Sequence, residues 1–209
     1  MLELFPSEAP SPLFFEKNLS SQGYRRIAGI DEAGRGPLAG PVVAAAVILP
    51  STFDLPGLDD SKKLSARLRD KLFPQIRMQA ADYGIGLAHA FEIDRLNILQ
   101  ATLLAMRRAV ARLKYPADYL LVDGITPVPL PLAQKTLKKG DSRSLSIAAA
   151  SVLAKVVRDR LMITYDSRFP GYGFAGHKGY GSAAHREAIA KLGPTPLHRG
   201  SFRGVKEYL

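Results

Sequence analysis

Four acidic residues in this chain have the type and setting to do chemistry together. Asp31 and Glu32 are adjacent, and they stand where the apolar segment 27–30 gives way to a glycine-rich loop. Asp123 ends another apolar segment, and Asp141 lies in a turn that contains lysine and glycine. Carboxylates that gather in one place repel one another and shift each other's pKa, so such a group in a basic chain is typical of a divalent cation site.

The ligand chemistry narrows the choice of cation. The chain contains no cysteine, which excludes disulfides, zinc–thiolate sites and thiol nucleophiles. Carboxylate oxygens without cysteine or paired histidines favour Mg²⁺ or Mn²⁺ over zinc. Two such ions can activate a water, bind a scissile phosphate and stabilise the leaving oxygen. The four acids therefore indicate a metal-dependent phosphodiesterase that uses Mg²⁺ or Mn²⁺.

Composition indicates the kind of substrate. The 209 residues include 29 Lys and Arg against 19 Asp and Glu, a formal net charge of +10. This favours a polyanionic partner, with nucleic acid ahead of an anionic membrane. The longest apolar stretch, 42–49, is too short to cross a bilayer, and the N-terminus shows no secretory signal. We expect a cytoplasmic, monomeric protein with no membrane partner.

The hydrophobic pattern predicts an α/β protein whose sheet is layered by helices, with a small helical C-terminal segment. Continuous apolar runs and short alternating runs predict strands, at 27–30, 42–49, 83–90, 119–122 and 132–137. Apolar residues at helical spacing predict helices, at 13–19, 65–80, 93–113, 146–165 and 183–192. Pro74 should kink or interrupt the second of these helices, and His89 is interpreted as a strand residue.

These elements would bring the acids together. Asp31 and Asp123 fall at the carboxyl ends of buried strands, which is where open α/β sheets place their sites. Asp141 precedes a helix and would lie near its positive N-terminal N–H groups. Neighbours on a strand point to opposite faces, so Asp31 and Glu32 can share a metal only if the backbone turns there. The glycines that follow make such a turn possible.

At these residues the chain closely resembles the ribonuclease HII (type 2 ribonuclease H) family. The matching motifs follow the family's order and cover nearly everything from 24 to 204. They are IAGIDEAGRGPLAGP at 27–41, DSKKL at 60–64, VDG at 122–124, KGDSR at 139–143, AAASVLAK at 148–155, YGF at 172–174, HKGY at 177–180 and HRGSF at 198–202.

The resemblance implies a ribonuclease H-like mixed five-stranded sheet flanked by helices. It implies endonucleolytic hydrolysis of the RNA strand in RNA–DNA hybrids, and incision on the 5′ side of single ribonucleotides embedded in duplex DNA. The products would carry 5′-phosphate and 3′-hydroxyl ends. The domains would be a lead-in and short helix at 1–24, the ribonuclease H-like catalytic domain at 25–165, and a C-terminal helical segment at 166–209 that contributes substrate contacts.

The resemblance also implies roles for individual residues. The catalytic and metal-binding set would be Asp31, Glu32, Asp123 and Asp141. The substrate-binding set would be Gly34, Arg35, Gly36, Lys62 and Tyr180. The glycine-flanked loop would sense the 2′-hydroxyl through its backbone, and the tyrosine ring would pack against the adjacent sugar. Arg35 and Lys62 would bind phosphates.

Several alternatives stay open at this point. A non-catalytic nucleic-acid-binding module would explain the charge but not the four acids. A junction resolvase or recombinase of the same fold is disfavoured by the glycine–arginine–glycine loop and Tyr180. A type 3 ribonuclease H should carry a further N-terminal domain, for which the first 24 residues leave no room. The four histidines are scattered along the sequence, which favours metal-activated water over attack by the substrate's 2′-hydroxyl.

Overall fold

The computed structural model describes residues 11–209, so most of the predicted lead-in lies outside the described residues. Five strands form one mixed sheet in the order β3-β2-β1-β4-β5, which confirms the predicted fold class. The strands are β1 (Ile27–Ala33), β2 (Val42–Ile48), β3 (Asp82–Ala88), β4 (Tyr119–Asp123) and β5 (Ala133–Leu137). β1 pairs antiparallel with β2 and parallel with β4, so it occupies the centre of the sheet.

Residues 11–209 contain seven α-helices. They are α1 (Phe14–Ser21), α2 (Ala66–Gln79), α3 (Ala90–Leu96), α4 (Ile98–Ala111), α5 (Leu145–Arg168), α6 (Phe174–His177) and α7 (Ala183–Leu192). Short 3₁₀ turns occupy Gly140–Ser142 and Lys206–Tyr208. Among residues 11–209, no helix combines the length and the apolarity that crossing a bilayer requires.

The core has a helical layer on each face of the sheet. One face packs against α4 through residues such as Ile30, Val122 and Met106. The other face packs against α2 and α5 through residues such as Val47 and Leu153. All seven residues of β2 are buried, because β2 lies between β1 and β3 and is covered on both faces. This explains why its sequence is continuously apolar rather than alternating.

Three sequence predictions are wrong in detail. The predicted helix at 93–113 is two helices, which meet at Asn97 with a positive φ of 72°. The Asn97 side chain accepts hydrogen bonds from the N–H groups of Leu99 and Gln100 and thereby caps α4. His89 lies just beyond β3 and precedes α3, and Glu92 accepts a hydrogen bond from its backbone N–H. The predicted interruption at Pro74 does not occur, because α2 runs through it.

The start of α5 packs directly on the central strand at Gly29. A Cβ atom at this position would overlap the backbone of Ser146 and Ile147. The absence of a side chain therefore lets α5 approach β1 closely, and this approach sets the height of α5 above the strand that carries Asp31.

We expect Gly29→Ala to lower the free energy of unfolding by about 1–3 kcal/mol, because overpacking forces the helix and strand apart. Urea unfolding followed by circular dichroism measures the change. Gly176→Ala is the matched control, since a Cβ there would meet no atom of residues 11–209 within 4 Å. Equal stability of the two variants would contradict the close packing of α5 on Gly29.

Candidate active site

Parallel pairing of two strands brings the first two acids together. β1 and β4 pair in register, with Ile30 opposite Val122, and each strand continues into an acid at its carboxyl end. Ile30 and Val122 pack in the core on the α4 face. Because side chains alternate along a strand, Asp31 and Asp123 follow on the opposite face, towards α5.

A short turn supplies the third acid. Asp141 lies in the 3₁₀ turn Gly140–Ser142, just before α5, and the Gly140 N–H donates to Asp123 Oδ1 at 2.7 Å. Carboxylate oxygens of Asp31, Asp123 and Asp141 all lie within 4.8 Å of one another. The structure thus brings together three of the four acids singled out in the sequence; these three are called the acid triad below.

Glu32 is set apart from the acid triad. It belongs to β1 itself, which runs on to Ala33 and pairs Glu32 with Ala44 of β2, so the backbone does not turn between the two adjacent acids. Its carboxylate lies 3.4 Å from the Arg35 guanidinium. Glu32 nevertheless lines the same cavity as Asp31 and Asp123, at its α4 side, where Leu99 and Met106 are neighbours.

Burial makes the acid triad electrostatically unfavourable on its own. Burial, with Glu32 and Asp123 nearby, raises the pKa of the Asp31 carboxyl well above its usual range. Burial also raises the pKa of Glu32, and burial together with Asp123 raises that of Asp141. Each shift reflects the cost of holding negative charge among other carboxylates away from water.

The donor set fits a hard divalent cation. Asp31 is only 2% exposed, and its Oδ1 accepts the N–H of Glu32 at 2.7 Å. Its Oδ2 is buried and accepts no hydrogen bond from residues 11–209. A buried acceptor without a donor is costly, and this one lies beside two further carboxylates. Oxygen-only ligands of this kind suit Mg²⁺ or Mn²⁺.

Lys62 adds positive charge at the rim of the acid triad. Its Nζ lies 3.4 Å from Asp141 Oδ2, and the Lys62 side chain is 74% exposed. Although burial works against it, the charges of Asp31 and Asp141 raise the pKa of Lys62, so it stays protonated at neutral pH. An exposed ammonium held beside the acids can bind a phosphate oxygen.

The predicted substrate loop and Tyr180 face each other across the cavity. Gly34, Arg35, Gly36 and Tyr180 line a cavity of about 310 Å³ that has Asp31, Glu32 and Asp123 in its wall. Gly34 has φ of +96°, and the guanidinium of Arg158 occupies the space that a Cβ would fill. The Tyr180 ring is 49% exposed, so it is open to contact with a ligand.

Other residues of this cavity were not singled out as substrate-binding from the sequence. Ser61 and Lys155 line it together with Arg158. The Ser61 hydroxyl is 2.6 Å from that of Ser151 on α5, and Lys155 pairs with Asp159 at 2.8 Å, as the spacing of four predicts. The sequence signal that could have identified Ser61 as a cavity residue is its position beside Lys62 in the DSKKL motif.

Three histidines that are distant in sequence lie in contact beneath Tyr180. His177 stacks on His185 with ring centroids 4.3 Å apart, and His185 Nε2 lies 3.1 Å from His198 Nε2. His185 Nδ1 is 2.9 Å from the Tyr180 carbonyl oxygen. The histidines are therefore not scattered in space, and the cluster supports the backbone of Tyr180.

The sheet order and the acid triad, supplied by β1, β4 and the turn before α5, define a nuclease of the ribonuclease H-like class. The family model for ribonuclease HII matches residues 28–205. The chain belongs to the ribonuclease HII family, and it is accordingly a metal-dependent endoribonuclease that acts on RNA–DNA hybrids.

Relatives and solved structures agree with this assignment. The chain is 83% identical to the ribonuclease HII of Syntrophotalea carbinolica over the full length of both chains. It is 66% identical to that of Geobacter sulfurreducens, covering 100% of this chain and 96% of the relative. The crystal structure of ribonuclease H2 from Pyrococcus horikoshii superposes with a TM-score of 0.73 at 25% identity, covering 88% of this chain and 97% of that one. Ribonuclease HII of Archaeoglobus fulgidus, solved in complex with PCNA, gives a TM-score of 0.71 at 28% identity, over 86% and 96% of the two chains.

We expect Asp31→Asn to raise the melting temperature in EDTA, because it removes a buried charge beside two carboxylates; relief worth one pKa unit corresponds to about 1.4 kcal/mol. Mg²⁺ should stabilise the wild type more than this variant, since binding to the folded state adds to stability. Thermal unfolding with and without Mg²⁺ tests both. Asp70→Asn, at an exposed ion pair with Arg160, is the control; an equal Mg²⁺ response in all three proteins would contradict a cation at the acid triad.

The histidine cluster makes stability depend on pH. Burial and the neighbouring His185 lower the pKa of His198 from 6.5 to about 4. As the pH falls, the unfolded chain therefore takes up the proton first, and the free energy of unfolding decreases between pH 6.5 and about 4. Above this window the stabilisation from neutral His198 is fully present, and it amounts to about 3 kcal/mol.

His198→Asn should accordingly show a shallower loss of stability over this window than the wild type, measured as urea unfolding at several pH values. Asparagine keeps an acceptor for the Thr195 N–H. His89→Asn, at an exposed histidine outside the cluster, should retain the wild-type pH dependence. A wild-type slope in His198→Asn would show that His198 does not titrate with folding.

Proposed function

We propose that this endoribonuclease incises duplex DNA on the 5′ side of a single embedded ribonucleotide, in addition to hydrolysing the RNA strand of hybrids. The supporting observation is one cavity lined by Asp31, Asp123, the Gly34–Gly36 loop and Tyr180, with the third acid of the triad within 4.8 Å of the other two. A phosphate at the acids would have its neighbouring sugars between the loop and the tyrosine. One cavity would then read the sugar and cut the adjacent bond, leaving 5′-phosphate and 3′-hydroxyl ends.

Asp31, Asp123 and Asp141 would hold Mg²⁺ or Mn²⁺, and Glu32, which β1 directs to the α4 side of the same cavity, would be a ligand of a second such ion. When bound, the cation supplies an activated water and neutralises charge at the phosphate. The protein's own part is to hold these carboxylates in place. The N–H groups of Glu32 and Gly140 do so by donating to Asp31 and Asp123.

Sugar recognition would come from backbone groups on one side and a ring on the other. The 2′-hydroxyl both donates and accepts hydrogen bonds, and it is what distinguishes RNA from DNA at a given position. Glycines at 34 and 36 let the backbone approach it closely. Tyr180 would pack against the adjacent deoxyribose and so place the ribonucleotide on the loop side, which fixes the 5′ side as the point of cleavage.

Phosphates on either side would be bound by Lys62 and Arg35. Both side chains are exposed, by 74% and 49% respectively, while each stays close to an acid of the cavity. Their charge, together with the net charge of +10, favours a duplex substrate over a small molecule. Binding should weaken as salt rises, because each neutralised phosphate releases counterions.

The decisive experiment is cleavage of an end-labelled DNA duplex that contains one ribonucleotide, in Mg²⁺, in Mn²⁺ and in EDTA. We expect metal-dependent incision on the 5′ side of the ribonucleotide and no cleavage of the all-DNA duplex. Asp31→Asn should lose cleavage by about 10²-fold or more, the scale of removing one preorganised group that stabilises the transition state, and should still bind the duplex. Asp70→Asn should cleave as the wild type does.

The alternative outcomes are equally informative. Incision of the all-DNA duplex would contradict sugar recognition by the loop. Cleavage of long hybrids without incision at a single ribonucleotide would restrict the enzyme to hybrids. Full activity of Asp31→Asn would remove Asp31 from the catalytic set.

A further inference from the structure

A buried arginine from the C-terminal segment holds the Gly34–Gly36 loop by its carbonyl oxygens. Arg199 is 0% exposed. Its Nη2 donates to Gly34 O at 2.5 Å, and its Nη1 donates to Arg35 O at 2.8 Å. Its Nε and Nη2 donate to Gly40 O at 3.1 and 2.9 Å. One planar guanidinium thus binds three carbonyls of a single loop.

A second buried arginine completes this support. Arg158 of α5 donates to Pro41 O at 3.1 Å and to Ala39 O at 3.2 Å. It is 1% exposed and packs where Gly34 lacks a side chain. The two arginines therefore hold the carbonyl oxygens of different parts of the loop. Arg158 holds the part that leads to β2, and Arg199 holds the part that lines the cavity.

Burying these two charges is unfavourable in itself. Burial and the neighbouring Arg158 lower the pKa of Arg199 to about 9. Arg199 forms no ion pair within the described residues; the nearby carboxylate of Asp94 accepts the N–H groups of Gly200 and Ser201 instead. A buried cation that donates hydrogen bonds to carbonyl oxygens fixes the direction of those carbonyls more firmly than a neutral donor would.

The direction of the carbonyls sets the direction of the amides. Each peptide unit is planar and trans, so its N–H points opposite to its C=O. With the carbonyls of Gly34 and Arg35 turned inwards to Arg199, the N–H groups of Arg35 and Gly36 turn away from it. Within residues 11–209 neither N–H donates a hydrogen bond to the protein, and both residues line the cavity.

We infer that Arg199 is a positioning residue for sugar discrimination: it presents the Arg35 and Gly36 amides to the 2′-hydroxyl by holding the carbonyls behind them. This inference rests on the proposed function, because it assigns the orientation of the loop that reads the ribose. Arg199 does not touch the substrate. A lysine would not replace it, since a single ammonium cannot reproduce the planar fork that binds three carbonyls.

The test compares two dissociation constants in each protein. One is for a duplex with a single ribonucleotide, and the other is for the same duplex made entirely of DNA. Both are measured by fluorescence anisotropy with Ca²⁺ in place of Mg²⁺, and duplex integrity is checked on denaturing gels. The proteins are the wild type, Arg199→Met and Arg199→Lys. Arg108→Met is the control, because Arg108 also donates to a backbone carbonyl, that of Leu87, but outside the cavity.

We expect Arg199→Met to reduce the preference for the ribonucleotide duplex by about fivefold or more, while affinity for the all-DNA duplex stays within about twofold of wild type. The preference of Arg199→Lys should fall between those of the wild type and Arg199→Met. Arg108→Met should keep the wild-type preference. A merely structural role would lower both affinities equally and leave their ratio unchanged, which would overturn the inference. If Arg199→Met does not fold, as judged by circular dichroism, the ratio for Arg199→Lys decides.

The two proposals fail in different ways. A wild-type protein with no preference for the ribonucleotide duplex would overturn the proposed function. A wild-type preference that survives in both Arg199 variants would overturn only the positioning role of Arg199.

Discussion

The mutual repulsion of carboxylates is the constraint on which the rest of this structure depends. Three carboxylates whose oxygens lie within 4.8 Å of one another do not stay together unless the backbone forces them to. Parallel pairing of β1 with β4 fixes two of them, and the turn before α5 fixes the third. Asp31 shows the cost of this arrangement, since among residues 11–209 its buried Oδ2 accepts no hydrogen bond.

The two adjacent acids of β1 lie on opposite faces of the sheet. Alternation along β1 sends Asp31 towards α5 and Glu32 towards α4, so the two adjacent acids reach the cavity from opposite sides. Glycines let a helix backbone come close on both faces, Gly29 towards α5 and Gly84 and Gly86 towards α4. On the α4 side Glu32 is accompanied by the exposed Arg35.

Much of this arrangement could be predicted from local sequence. The five strands, the long serine-capped α5 and the position of Asp31 and Asp123 at strand ends follow from apolar runs and their boundaries. The break at Asn97 was missed because the apolar stripe continues through both helices, although asparagine is a strong N-cap. The face on which Glu32 lies was left open because β1 was predicted to end at residue 30. The histidine cluster and the contacts of Arg199 depend on residues far apart in the chain, for which no local period exists.

The separation between Arg199 and its loop has a consequence for synthesis. Arg35 and Arg199 are 164 positions apart, so the ribosome completes the loop long before it adds the residue that anchors it. All four acids are also in place earlier than the anchor. A nascent chain therefore contains all four acids before it contains the residue that anchors the Gly34–Gly36 loop. The contacts that hold this loop are among the last that the growing polypeptide can form.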